Sequence, residues 1–403
     1  MKTLFAIFVI AFSACISLAY GLSDHQIGPS TATELTDSTG PRPLAISGPA
    51  HLSANVVRMG MTSLASLEGK GPTTVFYPTL ALQQTLQRGP FAFDVALDAL
   101  PQQGNRRLIV ISHGSGGAPW PLTDLARSFV AAGFVVAMPE HAGDNYRDKS
   151  NRGPDSWKLR PQEVSAAIDA SALDGRFSAL LDTGRVGVYG LSAGGLAALV
   201  MGGAVWSPAL FQQHCLANTA ADFGACAGLV VLLRGNWLDG LKLAGTRLIH
   251  RMRFGDTQRY AHTDPRVVAV LAAVPMAAAI DMTSLGEPTE TGTPVANNKP
   301  VAIGLIRAGQ DIELQPRFHI DAVRAACARC TVVADVPLAG HNSLLSPWPQ
   351  DFAATLGVQA IDPAGFDRSA LPQVYAQMVQ FFAAHLLTSQ AAAANPRTAQ
   401  TSR

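Results

Sequence analysis

Residues 187–195 read GVYGLSAGG, and the pentapeptide Gly190-Leu191-Ser192-Ala193-Gly194 has an apolar run, Val186 to Tyr189, directly before it. A small-residue helical stretch, Gly195 to Val205, follows. Strand, sharp turn and helix around one serine constrain the chain more than any other feature. The turn forces the serine into a strained backbone conformation, and its neighbours two before and two after must be small. Such a turn lifts the hydroxyl clear of a sheet and aims the N–H of Ala193, at the start of a helix, toward developing negative charge.

The rest of the chain supplies a sheet for that turn. Arg107 to Ser112 (RLIVIS), Phe134 to Met138, Val267 to Val274, Val301 to Ile306 and Thr331 to Val336 are short apolar runs of the kind that form buried parallel strands. Pro72 to Pro78 reads as an earlier strand. Helical patterns separate them: Thr123 to Ala132 ending at Gly133, Pro161 to Leu173 with Pro161 at the first helical position, Pro316 to Ala328, and Leu371 to Leu387. Strands alternating with helices predict a mostly parallel sheet covered on both faces. Hydrophobic residues make up 48% and charged residues 15%, which suits one well-buried core over residues 56–388. The net charge of +1 gives no basic excess for nucleic acid.

Residues 207–262 interrupt the alternation directly after the elbow helix and are expected to form a cap. They carry Cys215, Cys226, Trp237 and the cations Lys242, Arg247, His250, Arg251, Arg253 and Arg259. A solvated basic face is the plain reading of these cations, and a lid approaching an anionic surface or substrate is the sharper one.

The two ends read differently. Lys2, the apolar run Leu4 to Ile16 and Ser17-Leu18-Ala19 form a signal-peptide pattern over residues 1–19. The alternatives are a membrane anchor, or lipidation at Cys15 in Phe12-Ser13-Ala14-Cys15. Residues 20–55 read as a flexible leader and 389–403 as a disordered tail, leaving no stable membrane span in an exported, periplasmic or secreted mature chain. Beyond Cys15 four cysteines remain, and an even number in an exported chain predicts Cys215–Cys226 and Cys327–Cys330 disulfides. The CxxC of Cys327 and Cys330 has no second CxxC and no nearby histidine pair, so no zinc is expected.

A serine alone is a weak nucleophile and needs a base, which in turn needs an orienting acid. In this type of sheet they follow in the order serine, acid, histidine. Of ten histidines only His341 and His385 come late enough, and His385 falls inside the last helix. His341, in a loop after the last predicted strand, is the base. Asp311 follows the strand Val301 to Ile306 and is the leading acid, with Asp281 and Glu313 as alternatives. The loop His113-Gly114-Ser115-Gly116-Gly117 should supply the second oxyanion donor, the N–H of Ser115, with Gly116 as fallback. Trp120, just beyond it, could narrow an acyl pocket or simply fill the core.

Taken together, His113-Gly114, Gly190 to Gly194, Asp311 to Pro316 and Gly340-His341 resemble the dienelactone hydrolase and platelet-activating-factor acetylhydrolase branch of the α/β-hydrolases. Pro139 to Asp144 resembles that branch's H-P-G-D segment with Ala142 in place of Pro, and Arg160-Pro161 also matches. The similarity spans roughly residues 70–388. It implies Ser192, Asp311 and His341 as a triad, Ser115 as an oxyanion donor, and no metal or organic cofactor. True dienelactone hydrolases carry Cys at the elbow, so Ser192 favours ester hydrolysis.

The expectation is an exported serine hydrolase of small-molecule carboxylic esters. Short-acyl phospholipid hydrolysis, lipase or polyester depolymerase activity, and amide hydrolysis are alternatives on the same site; a non-catalytic binding module is the alternative of another class. A cap that exposes few apolar side chains and is stiffened by a disulfide predicts short acyl groups and no interfacial activation.

Overall fold

A computed structural model describes residues 57–65, 70–228, 231–286 and 300–387. The signal segment 1–19 with Cys15, the leader 20–55 and the tail 389–403 lie outside the described residues.

The described residues begin with β1 (Arg58–Leu64), β2 (Thr73–Thr79), β3 (Gln84–Arg88) and β4 (Phe91–Leu97), of which β1–β2 and β3–β4 pair antiparallel and β1–β4 pair parallel. The alternating part follows: β5 (Leu108–Ser112), α1 (Thr123–Ala131), β6 (Val135–Pro139), α2 (Pro154–Leu173), β7 (Val186–Leu191) and α3 (Ala193–Met201). The cap region holds β8 (Val205–Trp206), α4 (Pro208–Asn218), α5 (Phe223–Ala227) and α6 (Leu238–Arg253). The sheet then resumes with β9 (Val267–Ala273), β10 (Ile280–Asp281), β11 (Ala302–Ala308), α7 (Ile320–Ala326), β12 (Cys330–Val336), α8 (Gln350–Leu356) and α9 (Leu371–Leu386).

Ten strands form one sheet in the order β12-β11-β9-β7-β5-β6-β2-β1-β4-β3. The six from β6 to β12 run parallel, and β2 joins β6 antiparallel. The strand order reverses around β5, and the chain leaves β7 through a tight turn into α3. That is the α/β-hydrolase topology. The central strands β5, β6 and β7 are buried along their whole length, which is why they read as unbroken apolar runs. Two buried clusters lie on opposite faces of the sheet. One includes Val164, Ile168, Leu196 and Leu199 under α2 and α3, and the other Leu125, Phe129, Met378 and Phe382 under α1 and α9.

Two helices differ from expectation. α2 starts at Pro154, which takes the first-turn position assigned to Pro161; Pro161 lies inside the helix. Gly153, with φ +98°, makes the entry turn. The segment Pro316 to Ala328 is not one helix. A single 3₁₀ turn, Pro316–Phe318, is separated from α7 by His319 at φ −117°, ψ −92°. His319 is held there because Nδ1 accepts hydrogen bonds from the N–H groups of Ala277 and Ala278, at 3.0 and 3.3 Å. Tertiary contacts override local propensity at that residue.

Both predicted disulfides are present, Cys215–Cys226 and Cys327–Cys330. Cys327 ends α7 and Cys330 begins β12, so the second bridges a helix-to-strand turn rather than lying within a helix. Among the described residues no helix is long and apolar enough to cross a membrane.

Candidate active site

Ser192 sits between β7 and α3 with φ +59° and ψ −118°. A non-glycine residue in this region is strained and must be held by its surroundings. The restraints are visible. The Ser192 N–H donates to the Ala273 carbonyl at 3.1 Å, and the Ser192 carbonyl accepts from Leu196 and Met276 at 3.1 and 3.0 Å. The flanking glycines are sterically obligatory. A Cβ on Gly190 would overlap the Gly194 carbonyl, and one on Gly194 would overlap the Ser112 carbonyl. The N–H of Ala193 opens the first turn of α3, where amides have no partner inside the helix.

Acid and base leave neighbouring strands at the same edge of the sheet. Asp311 follows β11 and His341 follows β12, and the two loops are hydrogen-bonded to each other from Gln310 N–H to Ala339 O at 2.8 Å. Asp311 uses both oxygens. Oδ1 accepts from the N–H groups of Glu313 and Leu314, each at 2.8 Å, and Oδ2 lies 2.7 Å from His341 Nδ1. A carboxylate pinned by two backbone donors fixes the imidazole with Nδ1–H toward the acid, which leaves Nε2 as the nitrogen that gains and loses the second proton. Among the described residues no hydrogen bond links Ser192 Oγ to His341; such bonds are often long in a free enzyme and tighten with substrate.

The alternatives to Asp311 fall elsewhere. Asp281 lies in β10, caps the following turn through Thr283 N–H at 3.1 Å, and pairs with Arg259. Glu313 is on the other side of the imidazole, its Oε2 3.9 Å from His341 Nε2. That oxygen is buried with no hydrogen-bond partner. Burial, and then the Asp311 charge, push the Glu313 carboxyl above its usual range, although His341 and Arg152 oppose the rise. For His341 burial alone would lower the basicity, but Asp311 and Glu313 together raise it to about 9.

The loop His113-Gly114-Ser115-Gly116-Gly117 is held from below by residues distant from it in the chain. Asp144 Oδ1 accepts from the Ser115 hydroxyl and the Gly116 N–H, both at 2.7 Å. Gly116 is therefore committed to Asp144 and unsuited to the fallback oxyanion role, whereas Ser115 spends only its hydroxyl there. Arg160, fully buried in α2, donates to Asp144 Oδ2 at 2.8 Å and to the His113 carbonyl. Ser156 completes the cluster, 3.0 Å from Asp144 Oδ2 and 3.1 Å from Arg160 Nε. The loop passes close to the nucleophile: a Cβ on Gly114 would lie 3.4 Å from Ser192 Cβ. The signal for this support was the Pro139–Asp144 and Arg160-Pro161 segments, which match the resemblance but lie far from the elbow in sequence.

Trp120 is not gathered with these groups. It is buried in the core, stacked on Phe93 at 6.0 Å between ring centres, with Arg88 on its ring. We read it as a packing residue.

A second serine–histidine–carboxylate array lies beneath the loop. His141 Nε2 is 2.7 Å from Ser112 Oγ, and His141 Nδ1 is 2.6 Å from Glu163 Oε2. All three residues are buried. Burial first, and then the Arg160 charge, hold His141 well below the usual imidazole value.

The cap is joined to the acid loop by Asp222. Its Oδ2 lies 2.7 Å from His214 Nε2 and 2.9 Å from His319 Nε2, and its Oδ1 accepts from Gln315 N–H at 3.1 Å. Burial would raise this carboxyl, but the two histidine hydrogen bonds bring it down to about 2. Three such side chains resemble metal ligands, yet His319 Nδ1 accepts two backbone N–H groups, so its Nε2 carries the proton. The lone pair that a cation needs is absent there.

The cap also departs from expectation. It exposes Trp237, Leu238, Leu241, Leu248, Ile249 and Met252 on and beside α6. This segment thus exposes more apolar surface than expected, and such a surface does not disfavour activation at an interface.

No family model matches the chain, and no curated protein matches it. Among solved structures, a ferulic acid esterase from Streptomyces cinnamoneus is similar to 84% of this chain and to 92% of its own, with a TM-score of 0.49 and 16% identity.

Proposed function

We propose that this chain is an exported serine hydrolase of carboxylic esters. The observation that carries the reading is the strained Ser192 elbow at the same C-terminal end of the parallel strands as a buried, hydrogen-bonded Asp311–His341 pair. Ser192 Oγ attacks the acyl carbon and gives its proton to His341 Nε2, while Nδ1–H stays on Asp311. The carbonyl oxygen gains the negative charge and meets the N–H groups of Ala193 and Ser115, each such donor worth ~3 kcal/mol in the transition state. Collapse expels the alkoxide, which takes the proton from Nε2. Water then gives a proton to Nε2 and attacks the acyl-enzyme, and Ser192 recovers its proton as the acid leaves.

Every role in this cycle has an occupant, which argues against a non-catalytic binding module. Export is supported by the residue 1–19 pattern and by two disulfides, which persist in oxidising compartments. A preference for acetyl to hexanoyl groups now rests on the disulfide-stiffened cap alone. The test is turnover of p-nitrophenyl esters of graded acyl length by wild type and Ser192→Ala, with a serine-reactive phosphonate as label. Near-normal turnover by Ser192→Ala, or labelling elsewhere, refutes the triad. A maximum at dodecanoyl or longer refutes the short-acyl preference and leaves the triad standing.

A further inference from the structure

α6 turns its apolar residues the wrong way for a core helix. Its buried residues are Thr246 and His250, and the latter is hydrogen-bonded from Nε2 to the Cys226 carbonyl at 2.8 Å. The opposite face carries Leu238, Leu241, Leu248 and Met252, spaced i, i+3, i+10 and i+14, which is one side of a helix. They are exposed, Leu241 by 50% and Met252 by 66%. Trp237, directly before the helix, is 84% exposed. At 3.6 residues per turn Lys242 and Arg253 border this stripe on one side, and Arg247 and Arg251 on the other.

Acidic residues do not balance the cations. From 231 to 263 the chain has Asp239 and Asp256 alone; Asp239 pairs with Lys242 at 2.7 Å and Asp256 with Lys158 at 3.1 Å, so the border arginines Arg247, Arg251 and Arg253 meet no acid of this segment. A monomer gains nothing by holding this stripe in water, since each large side chain left exposed forgoes about 1.5–3 kcal/mol of burial.

We propose that the outer face of α6 docks on an anionic lipid surface. The stripe enters the acyl boundary, and the bordering arginines meet the headgroups; apolar stripe, cationic borders and a terminal tryptophan are what an interfacial helix requires. A second copy of the chain fits less well, because a two-fold contact would set cationic borders against each other. The platform beneath the helix is firm. His250 ties α6 to α5, the Cys215–Cys226 bridge ties α5 to α4, and Gly224 of α5 packs on the carbonyls of Ile312 and Glu313 in the acid loop. This inference goes beyond ester hydrolysis and does not depend on it.

The experiment is co-sedimentation of the full-length protein with phosphatidylglycerol or phosphatidylcholine vesicles, with tryptophan emission and the molar mass in solution recorded alongside. Binding to phosphatidylglycerol that weakens with added salt, with a blue shift lost in Trp237→Phe, is the expected result. Leu241→Asp with Leu248→Asp should weaken partitioning at least about tenfold, since two buried stripe residues are lost. Arg251→Glu with Arg253→Glu should abolish the preference for the anionic lipid. Both double variants should keep the wild-type circular-dichroism spectrum and melting midpoint, which shows that they are folded. Three results overturn the proposal: no binding to phosphatidylglycerol at low salt, binding that both double variants retain, or a dimer that the aspartate variant dissolves. Trp237 emission already blue-shifted without lipid would also overturn it, because some other part of the protein then covers the face.

Discussion

Two arrays in this molecule share a chemical inventory and differ in almost everything else. Ser192, Asp311 and His341 follow β7, β11 and β12 at the C-terminal ends of the parallel strands, with Asp311 and His341 hydrogen-bonded; Ser112, His141 and Glu163 are buried and hydrogen-bonded beneath the His113–Gly117 loop. His341 faces two carboxylates, which raise it to about 9. His141 is depressed by its burial and, after that, by the Arg160 charge. Ser192 is strained at φ +59°, whereas Ser112 is the last residue of a regular strand. Residue identity and hydrogen-bond distance therefore do not make a site. Backbone strain at the serine and the balance of burial against surrounding charge at the histidine separate the two arrays.

The largest effects should split along that line. Ser192→Ala should cost about 10⁴-fold or more in kcat, with an unchanged melting curve, because the elbow accepts a methyl group in place of the hydroxymethyl. Ser112→Ala should leave turnover within about tenfold but strand His141 Nε2, at about 1–3 kcal/mol of stability in denaturant titrations. If Ser112→Ala is the inactive variant, the roles are reversed.

The acids give the next contrast. Asp311→Asn should reduce kcat about 10³–10⁴-fold by releasing the tautomer of His341. Glu163→Gln should act on stability, since it disturbs the hydrogen bonds to His141 and to Ala142 N–H. Equal losses of kcat from both would erase the distinction.

The Cys215–Cys226 bridge closes a short loop and should contribute about 2–3 kcal/mol. Cys215→Ser with Cys226→Ser should lower the unfolding midpoint accordingly. A melting curve identical to wild type would remove the bridge from the cap's support.

The smallest effect is a shift in pH. His341 must lose its proton before it can act as base, and its value is raised, so kcat/KM for a neutral ester should climb through the alkaline range with a limb near 9. Glu313→Gln removes one of the two anions that raise it, so the limb should move to lower pH. An unmoved limb would mean that Glu313 does not sense the imidazole.

How much was legible follows the same physics. β5, β7 and β11 carry buried apolar runs, and the elbow declares itself through glycines that no other residue can replace, so the sheet centre and Ser192 were readable. The juxtaposition of Asp311 and His341, hydrogen-bonded at 2.7 Å, was readable from chain order. β3 (QTLQR) was not, because it is a polar edge strand, and β1 is interrupted by Gly60 and Thr62. The roles of Asp144 and Arg160 were hidden because they act through backbone atoms of a loop 28 or more residues away in sequence. The break at His319 depends on the amides of Ala277 and Ala278, which no local pattern announces. Trp120 suggested a pocket by its position in the sequence, but burial against Phe93 decided its role. The exposed face of α6 was written in its sequence, yet the same letters would describe a buried face until the packing of Thr246 and His250 fixed which side is in.

Asp222 has a practical consequence for anyone who would trim or transplant this protein. It belongs to the cap segment, but it holds Gln315 N–H and His319, the stretch that begins with Asp311. The cap is thus not a detachable module. A deletion across residues 207–262 would remove an anchor of the loop that carries Asp311. Production in a reducing host would leave that anchor without the covalent bridge between α4 and α5, so material made in the cytosol and material exported through an oxidising compartment should be compared before any loss of activity is assigned to an engineered change.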